Sequence, residues 1–234
     1  MNTDPIIQQA TGDVGGYFLT HYTDAAGVLH AANAVSALGA CAGIFAQIQA
    51  RAQLILGVIP QTEATMLEVK TTEGARYFFG DAINACVMGG NEKVPAFWNL
   101  AGAAAGDPKI GEKIDVVEIA RHTSKTVGSS SFGQPRIDAR YKLGERPIDA
   151  VRTHGPVLKR RFLEISLDPQ KFVLVFGLVA QSFAKFAAGE IADVRVNVAM
   201  KRTDIVRLYM ESAIPMSKLD TSSVGMGPQP RQQS

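Results

Sequence analysis

Residues 25–50 contain no Asp, Glu, Lys or Arg, and this uncharged stretch constrains the fold more than any other feature of the chain. A run of this length and composition is a membrane span, a buried core helix or a helix packed against a partner. However, polar side chains interrupt it at His30, Ser36, Gln47 and Gln49, and alanine supplies most of its apolar content. Membrane spans are usually richer in large apolar residues. We therefore expect a buried helix of a soluble protein and no membrane span.

Small residues line one side of this predicted helix, which is expected to begin near Thr23. Ala32, Ser36, Gly39 and Gly43 follow one another at intervals of three or four, so they share one helix face. Small side chains at such spacing allow another backbone to approach closely. We call these four residues the small-residue face. They predict a packing contact either with a second hydrophobic helix at residues 172–188, of which residues 172–184 carry no charge, or with a second subunit.

Other segments indicate the fold class. Asp168-Pro169 is typical of a helix start, and Gly189 of a helix end, which predicts the second helix. A hairpin is predicted at residues 66–79, and alternating valines predict a strand at residues 193–200. Together these segments predict an α+β protein with two long buried hydrophobic helices packed with a mostly antiparallel sheet.

The domain organisation follows from composition. Residues 1–16 and 221–234 are polar or glycine-containing, so we expect a flexible N-terminus and a disordered tail on either side of one domain at residues 17–220. A domain of that size can bury a core without disulfides. Cys41 and Cys86 lie in apolar surroundings and are interpreted as buried structural thiols. No secretory signal is visible, which favours a cytoplasmic location.

The charge is unevenly distributed along the chain. Residues 1–120 contain six basic and twelve acidic residues, whereas residues 121–161 contain ten basic and three acidic ones. Such a basic segment, predicted here to be irregular, is typical of a surface for nucleic acid or another polyanion, but also of internal ion pairing. Its candidate anion-binding residues are Arg136, Arg140, Lys142, Arg146, Arg152, Lys159, Arg160 and Arg161.

Several kinds of chemistry are disfavoured. The loop at residues 106–113 resembles a phosphate-binding loop, but Glu112 stands where lysine is required. The four histidines are dispersed, so no metal site and no cofactor are predicted. No Gly-x-Ser-x-Gly nucleophile motif occurs. If the protein were an enzyme, its pocket would be sought near His21, Tyr22 and His122.

These observations lead to three hypotheses about function. The first is a non-enzymatic protein that acts through self-association or protein–protein assembly, as a homo-oligomer. The second is binding of nucleic acid or another polyanion through residues 121–161. The third is an enzyme whose pocket is assembled from residues distant in sequence.

Overall fold

The structure is a computed structural model and describes residues 4–89 and 95–227. It is a mixed α+β protein in which helices predominate. The described helices are α1 (Pro5–Tyr22), α2 (Ala31–Ile55), α3 (Asp81–Val87), α4 (Phe97–Ala103), α5 (Ile110–Lys113), α6 (Val116–Thr126), α7 (Pro147–Glu164), α8 (Phe172–Ala187) and α9 (Arg202–Met216). The strands are β1 (Val28–Leu29), β2 (Leu67–Lys70), β3 (Arg76–Phe79) and β4 (Arg195–Val196).

The strands form two separate pairs and no single sheet within the described residues. β1 pairs with β4 in parallel, and β2 pairs with β3 as the predicted antiparallel hairpin. The expected single, mostly antiparallel sheet is thus replaced by a longer antiparallel pair and a short parallel pair. Of the strand predicted at residues 193–200, only Arg195–Val196 pairs with another strand, because its partner β1 is itself two residues long.

Helix α2 lies at the centre of the molecule. It packs against α1, α3, α7, α8 and α9, so nearly every one of its faces meets another helix. By length and composition alone α2 could cross a membrane, but 89% of its most apolar 18-residue window is buried inside the fold. A core helix surrounded by other helices has this property.

The N-terminal residues differ from the sequence-based prediction. Pro5 opens α1, and the Asp4 side chain accepts a hydrogen bond from the Ile6 amide at 2.9 Å. Ile7, Val14 and Phe18 are buried, and α1 packs against α8. The expected flexible segment up to residue 16 is thus helical from residue 5, because its few apolar residues fall on one face. Gly12 and Gly16 lie on the exposed face of α1, whereas Gly15 is half-buried and lies near Val179 of α8.

Two further predictions need correction. The basic segment is irregular only between α6 and α7, since residues 147–161 belong to α7. The tail begins with a 3-10 turn at Thr221–Val224, and both Val224 and Met226 are buried. The expected disorder from residue 221 therefore does not hold for residues 221–227. Residues 228–234 lie outside the described part of the chain.

Candidate functional site

The small-residue face of α2 packs inside the chain, against α9. A Cβ added to Gly39 would lie 2.7 Å from the Tyr209 carbonyl oxygen, and one added to Gly43 would overlap the carbonyl of Ala213. Ser36 Oγ lies 3.1 Å from Ser212 Oγ, and Ala32 is buried. The contact is thus with neither of the two expected partners, since α9 was not assigned from the sequence. Because α9 occupies this face, a second subunit cannot pack there.

Arg136, the first of the candidate anion-binding residues, is occupied by acidic partners. Its guanidinium bridges Glu118 at 2.8 Å and Glu211 at 2.9 Å. Glu211 is only 3% exposed, so this arginine neutralises a buried carboxylate. The hydrogen bond from Arg136 also lowers the pKa of Glu118. Arg140 lies 3.3 Å from both Asp138 and Asp204.

Most of the remaining candidates also have partners within the chain. Arg146 and Arg152 share Asp149, at 2.7 Å and 3.2 Å. Lys159 Nζ donates to the backbone carbonyls of Met226 and Gly227, at 2.9 Å and 3.1 Å. In the part of the chain that the structure describes, Lys142, Arg160 and Arg161 form no ion pair. The basic segment is therefore used largely for internal pairing, which does not favour a phosphate-tracking surface.

The residues suggested for an enzyme pocket are only partly brought together. His21 and Tyr22, at the end of α1, lie beside His154 of α7, with the rings of His21 and His154 centred 4.5 Å apart. His122 lies on α6 and takes no part in this cluster. Sequence reasoning missed His154, because it lies more than 130 residues from its partners.

A broad cavity of about 910 Å³ lies between α1, α4 and α8. Its charged side chains include Lys185, Glu190 and Arg202. Glu190 and Arg202 pair with each other, the Nε–Oε1 distance being 2.7 Å. Two of these three charges therefore neutralise each other, which leaves less to orient a charged ligand in this cavity.

The edge of the hairpin provides a more specific candidate. The outer edge of β3 is covered, because the Phe78 amide donates to the Lys218 carbonyl at 2.7 Å and Tyr77 forms a bridge with Leu219. Within residues 4–89 and 95–227, the outer edge of β2 has no partner strand. We call this edge of Leu67–Lys70 the open edge. Unpaired strand edges are templates for pairing with another chain.

The register of the hairpin shows which backbone groups point outward on the open edge. Glu68 is opposite Phe78, whose amide points away from β2 toward Lys218. Backbone groups alternate in direction along an antiparallel pair, so those of Glu68 also point away from β3, as do those of Lys70. The Thr71 amide bonds the Ala75 carbonyl at 2.9 Å, which agrees with this alternation.

Exposed apolar side chains are concentrated in the same part of the chain. Among the residues that the structure describes, five of the nine exposed large hydrophobic side chains lie between residues 55 and 69: Ile55, Leu56, Val58, Leu67 and Val69. Ile55 is 84% exposed. The end of α2 lies beside the hairpin, since the Arg51 guanidinium sits 4.2 Å from the centre of the Phe78 ring. A cluster of exposed apolar side chains often marks a protein–protein contact.

Comparison with known protein families, with curated proteins and with solved structures gives no match for this chain. Among the residues that the structure describes, no three His, Cys, Asp or Glu side chains are grouped to hold a metal ion. The function is therefore inferred from the contacts of the chain's own residues.

Proposed function

We propose that this protein is a non-enzymatic self-associating protein, in which two copies pair through the open edge of β2. The observation that carries this proposal is the unpaired edge of Leu67–Lys70, whose outward amides and carbonyls belong to Glu68 and Lys70. Pairing with a second copy would extend the hairpin to a four-stranded antiparallel sheet. Strand addition of this kind satisfies backbone groups that otherwise bond only to water.

Charge complementarity selects the register. Antiparallel self-pairing must bring outward-facing residues opposite each other, which leaves three short registers. One places Glu68 opposite Glu68 and another places Lys70 opposite Lys70, and both are disfavoured by like charges. The third places Glu68 opposite Lys70 of the second copy, twice. This register uses all four outward residues and pairs every charge.

The same register also places apolar side chains together. It centres the two-fold axis on Val69, which meets Val69 of the second copy in a pair without backbone hydrogen bonds. Val69 is 41% exposed and Leu67 is 48% exposed, so both have apolar surface to bury. The contact is small, so we expect a dissociation constant on the order of tens of micromolar.

The hypothesis of polyanion binding has less support, because most of the basic side chains predicted for it are paired internally. The small-residue face has less support as an oligomer surface, because α9 covers it. The open edge therefore replaces both as the surface on which the proposed function depends.

Sedimentation analysis of purified protein over a range of micromolar concentrations tests the proposal. We expect the wild-type protein to shift from monomer toward dimer as its concentration rises. Val69→Lys should stay monomeric, because two ammonium groups would meet on the two-fold axis. Its free energy of unfolding should change by less than about 1 kcal/mol, since 41% of Val69 is already exposed in the folded chain.

A control is Val117→Lys, which replaces an exposed valine on α6 that is 59% exposed, against 41% for Val69. This variant should dimerise like the wild type. A wild-type protein that remains monomeric throughout, or a Val69→Lys variant that dimerises normally, would overturn the proposal.

A further inference from the structure

A buried chain of hydrogen bonds links two surface cavities through His154. Tyr17 Oη lies 2.8 Å from His154 Nδ1, Tyr22 Oη lies 2.8 Å from His154 Nε2, and Tyr22 Oη lies 2.6 Å from Glu145 Oε2. His154 is completely buried and Tyr22 is 8% exposed. Both ring nitrogens of the histidine are therefore bonded to tyrosine hydroxyls. We call Tyr17, His154, Tyr22 and Glu145 the relay.

The directions of these hydrogen bonds follow from donor and acceptor chemistry. An ionised carboxylate only accepts, so the Tyr22 hydroxyl donates to Glu145. Tyr22 must then accept from Nε2–H of His154, and Nδ1 of His154 accepts from the Tyr17 hydroxyl. Burial and the neighbouring His21 ring lower the pKa of His154 to about 4, so the imidazole is neutral at pH 7.

Both ends of the relay reach cavities. Tyr17 lines a cavity of about 400 Å³ together with Asp13, His21 and other residues of α1 and with Arg161 of α7. Glu145 lines a second cavity of about 400 Å³ in the loop before α7. A buried polar chain of this kind can transfer a proton between two solvent-facing positions without exposing the core.

The Tyr17 cavity has the chemistry of a site for a small monoanion. The Arg161 guanidinium lies 4.8 Å from the centre of the Tyr17 ring and forms no ion pair among the described residues. Arginine is well suited to carboxylate and phosphate oxygens. Gly12 and Gly16 leave open space on the same face of α1. Asp13 lies in the same cavity, and its charge disfavours anions that carry more than one negative charge.

We propose that this cavity binds a small oxyacid, of the carboxylic or phosphoric type, and that the relay carries its proton to Glu145. The acid gives its proton to the Tyr17 oxygen, Tyr17 passes its own proton to Nδ1, Nε2–H passes to Tyr22, and Tyr22 passes its proton to the Glu145 carboxylate. One O–H bond is lost by the acid and one is gained by Glu145. The anion remains beside Arg161 and accepts a hydrogen bond from the Tyr17 hydroxyl.

The charged and polar surroundings require the protons to move together. Burial raises the pKa of Tyr17, and burial and the hydrogen bond to Glu145 raise the pKa of Tyr22 far above its usual range. A tyrosinate or an imidazolium inside the relay is therefore disfavoured. The other groups that face the relay are His21, Arg161 and Cys41, whose burial raises its thiol pKa. Every member except Glu145 thus stays neutral before and after transfer.

The tautomer of His154 provides a direct readout by nitrogen NMR of the full-length protein, with acetate and inorganic phosphate as probes. The free protein should carry the proton on Nε2, and saturation with a probe should move it to Nδ1. A response to acetate alone assigns carboxylic acids, and a response to phosphate alone assigns phosphoric acids. If neither probe binds or changes the tautomer, the proposal is overturned.

The Glu145→Gln variant tests whether the relay transfers a proton or only stabilises the fold. The glutamine amide can donate to Tyr22, so this variant should hold the Nδ1–H tautomer without any probe. Acetate affinity of the wild type should fall about tenfold per pH unit between pH 6 and 8, because one proton is bound with each anion. That dependence should vanish in Glu145→Gln and persist in His122→Gln, since His122 lies on α6 outside this cluster. An unchanged tautomer in Glu145→Gln would contradict the relay.

Arg161→Gln tests the cavity, with Arg160→Gln as the matched control on the same helix. Loss of the guanidinium should weaken binding of the effective probe at least about tenfold, as expected for a charged hydrogen-bond partner. Arg160→Gln should bind normally. Equal affinities for the two variants would overturn the assignment of this cavity. Dimerisation through the open edge should be unchanged in both, so the relay and the proposed function fail independently.

Discussion

The small-residue face of α2 and the open edge of β2 are two places where a backbone lies open to close approach. At the small-residue face, carbonyl groups of α9 lie directly against Gly39 and Gly43, so the approaching backbone belongs to the same chain. At the second, the outward groups of Glu68 and Lys70 have no partner among the described residues. The small-residue face is covered within the fold. The open edge is uncovered among the described residues, and it is the surface that we propose pairs with a second copy.

The difference shows what each sequence signal reports. Small residues at helical spacing indicate that a backbone comes close, but they do not identify it. An unpaired strand edge presents backbone amides and carbonyls that can pair with another strand. The charged side chains on that strand restrict the register in which the pairing can occur. The second signal therefore says more about association, although it depends on knowing which edge of the hairpin is covered.

The largest expected effect comes from filling the small-residue face. Gly43→Ala places a Cβ onto the Ala213 carbonyl, so α2 and α9 must separate. We expect a loss of about 3 kcal/mol or more in the free energy of unfolding, measured by urea denaturation. Gly12→Ala, where an added Cβ meets nothing within 4 Å, should instead be neutral or stabilising by up to about 1 kcal/mol.

This pair of variants tests whether the small-residue face is packed within the chain. If the small-residue face were a free surface awaiting a second subunit, Gly43→Ala would behave like Gly12→Ala in the monomer. Equal stabilities for the two variants would therefore refute the packing of α2 on α9.

A smaller effect is expected from the hydrogen bond inside the same contact. Ser36→Ala leaves the buried Ser212 hydroxyl without its 3.1 Å partner, which should cost about 1 kcal/mol. The double variant Ser36→Ala, Ser212→Ala removes both polar groups and should cost less than the sum of the single variants. Urea denaturation of all four proteins measures the coupling, and strict additivity would show that the two serines do not interact.

Much of the secondary structure could be predicted from local sequence. The hairpin and the helices α2 and α8 follow from periodicity and from residues such as Gly74 and Gly189, whose φ angles are positive, although α2 begins at Ala31 and not near Thr23. Helix α1 was missed because its buried residues are widely spaced among glycines. The pairing of β1 with β4 could not be predicted, since the two strands come from distant parts of the chain.

The candidate sites were less accessible to sequence reasoning. His21 and Tyr22 were singled out as neighbours, but their partners Glu145 and His154 lie over 120 residues away. The basic residues looked like one surface because composition does not show which acidic side chains face them. Glu211, for example, reaches Arg136 only because α9 packs beside the loop that precedes α7.

Cross-linking through residue 69 tests directly whether two copies pair at the open edge of β2. The proposed register places Val69 opposite itself in a pair without backbone hydrogen bonds, with Cα atoms about 4.5 Å apart, which suits a disulfide. Leu67 lies on the same face of the strand but would be opposite Thr71 of the second copy. The native thiols do not compete, because Cys41 and Cys86 are buried and burial raises the pKa of Cys86 to about 12.

Under mild oxidation, Val69→Cys should form a covalent dimer at least about tenfold faster than Leu67→Cys, because association holds its two thiols together. The measurement is the rate at which the dimer appears on a non-reducing gel, at equal protein concentrations. Equal rates for the two variants, or no dimer from Val69→Cys, would contradict pairing through the open edge of β2.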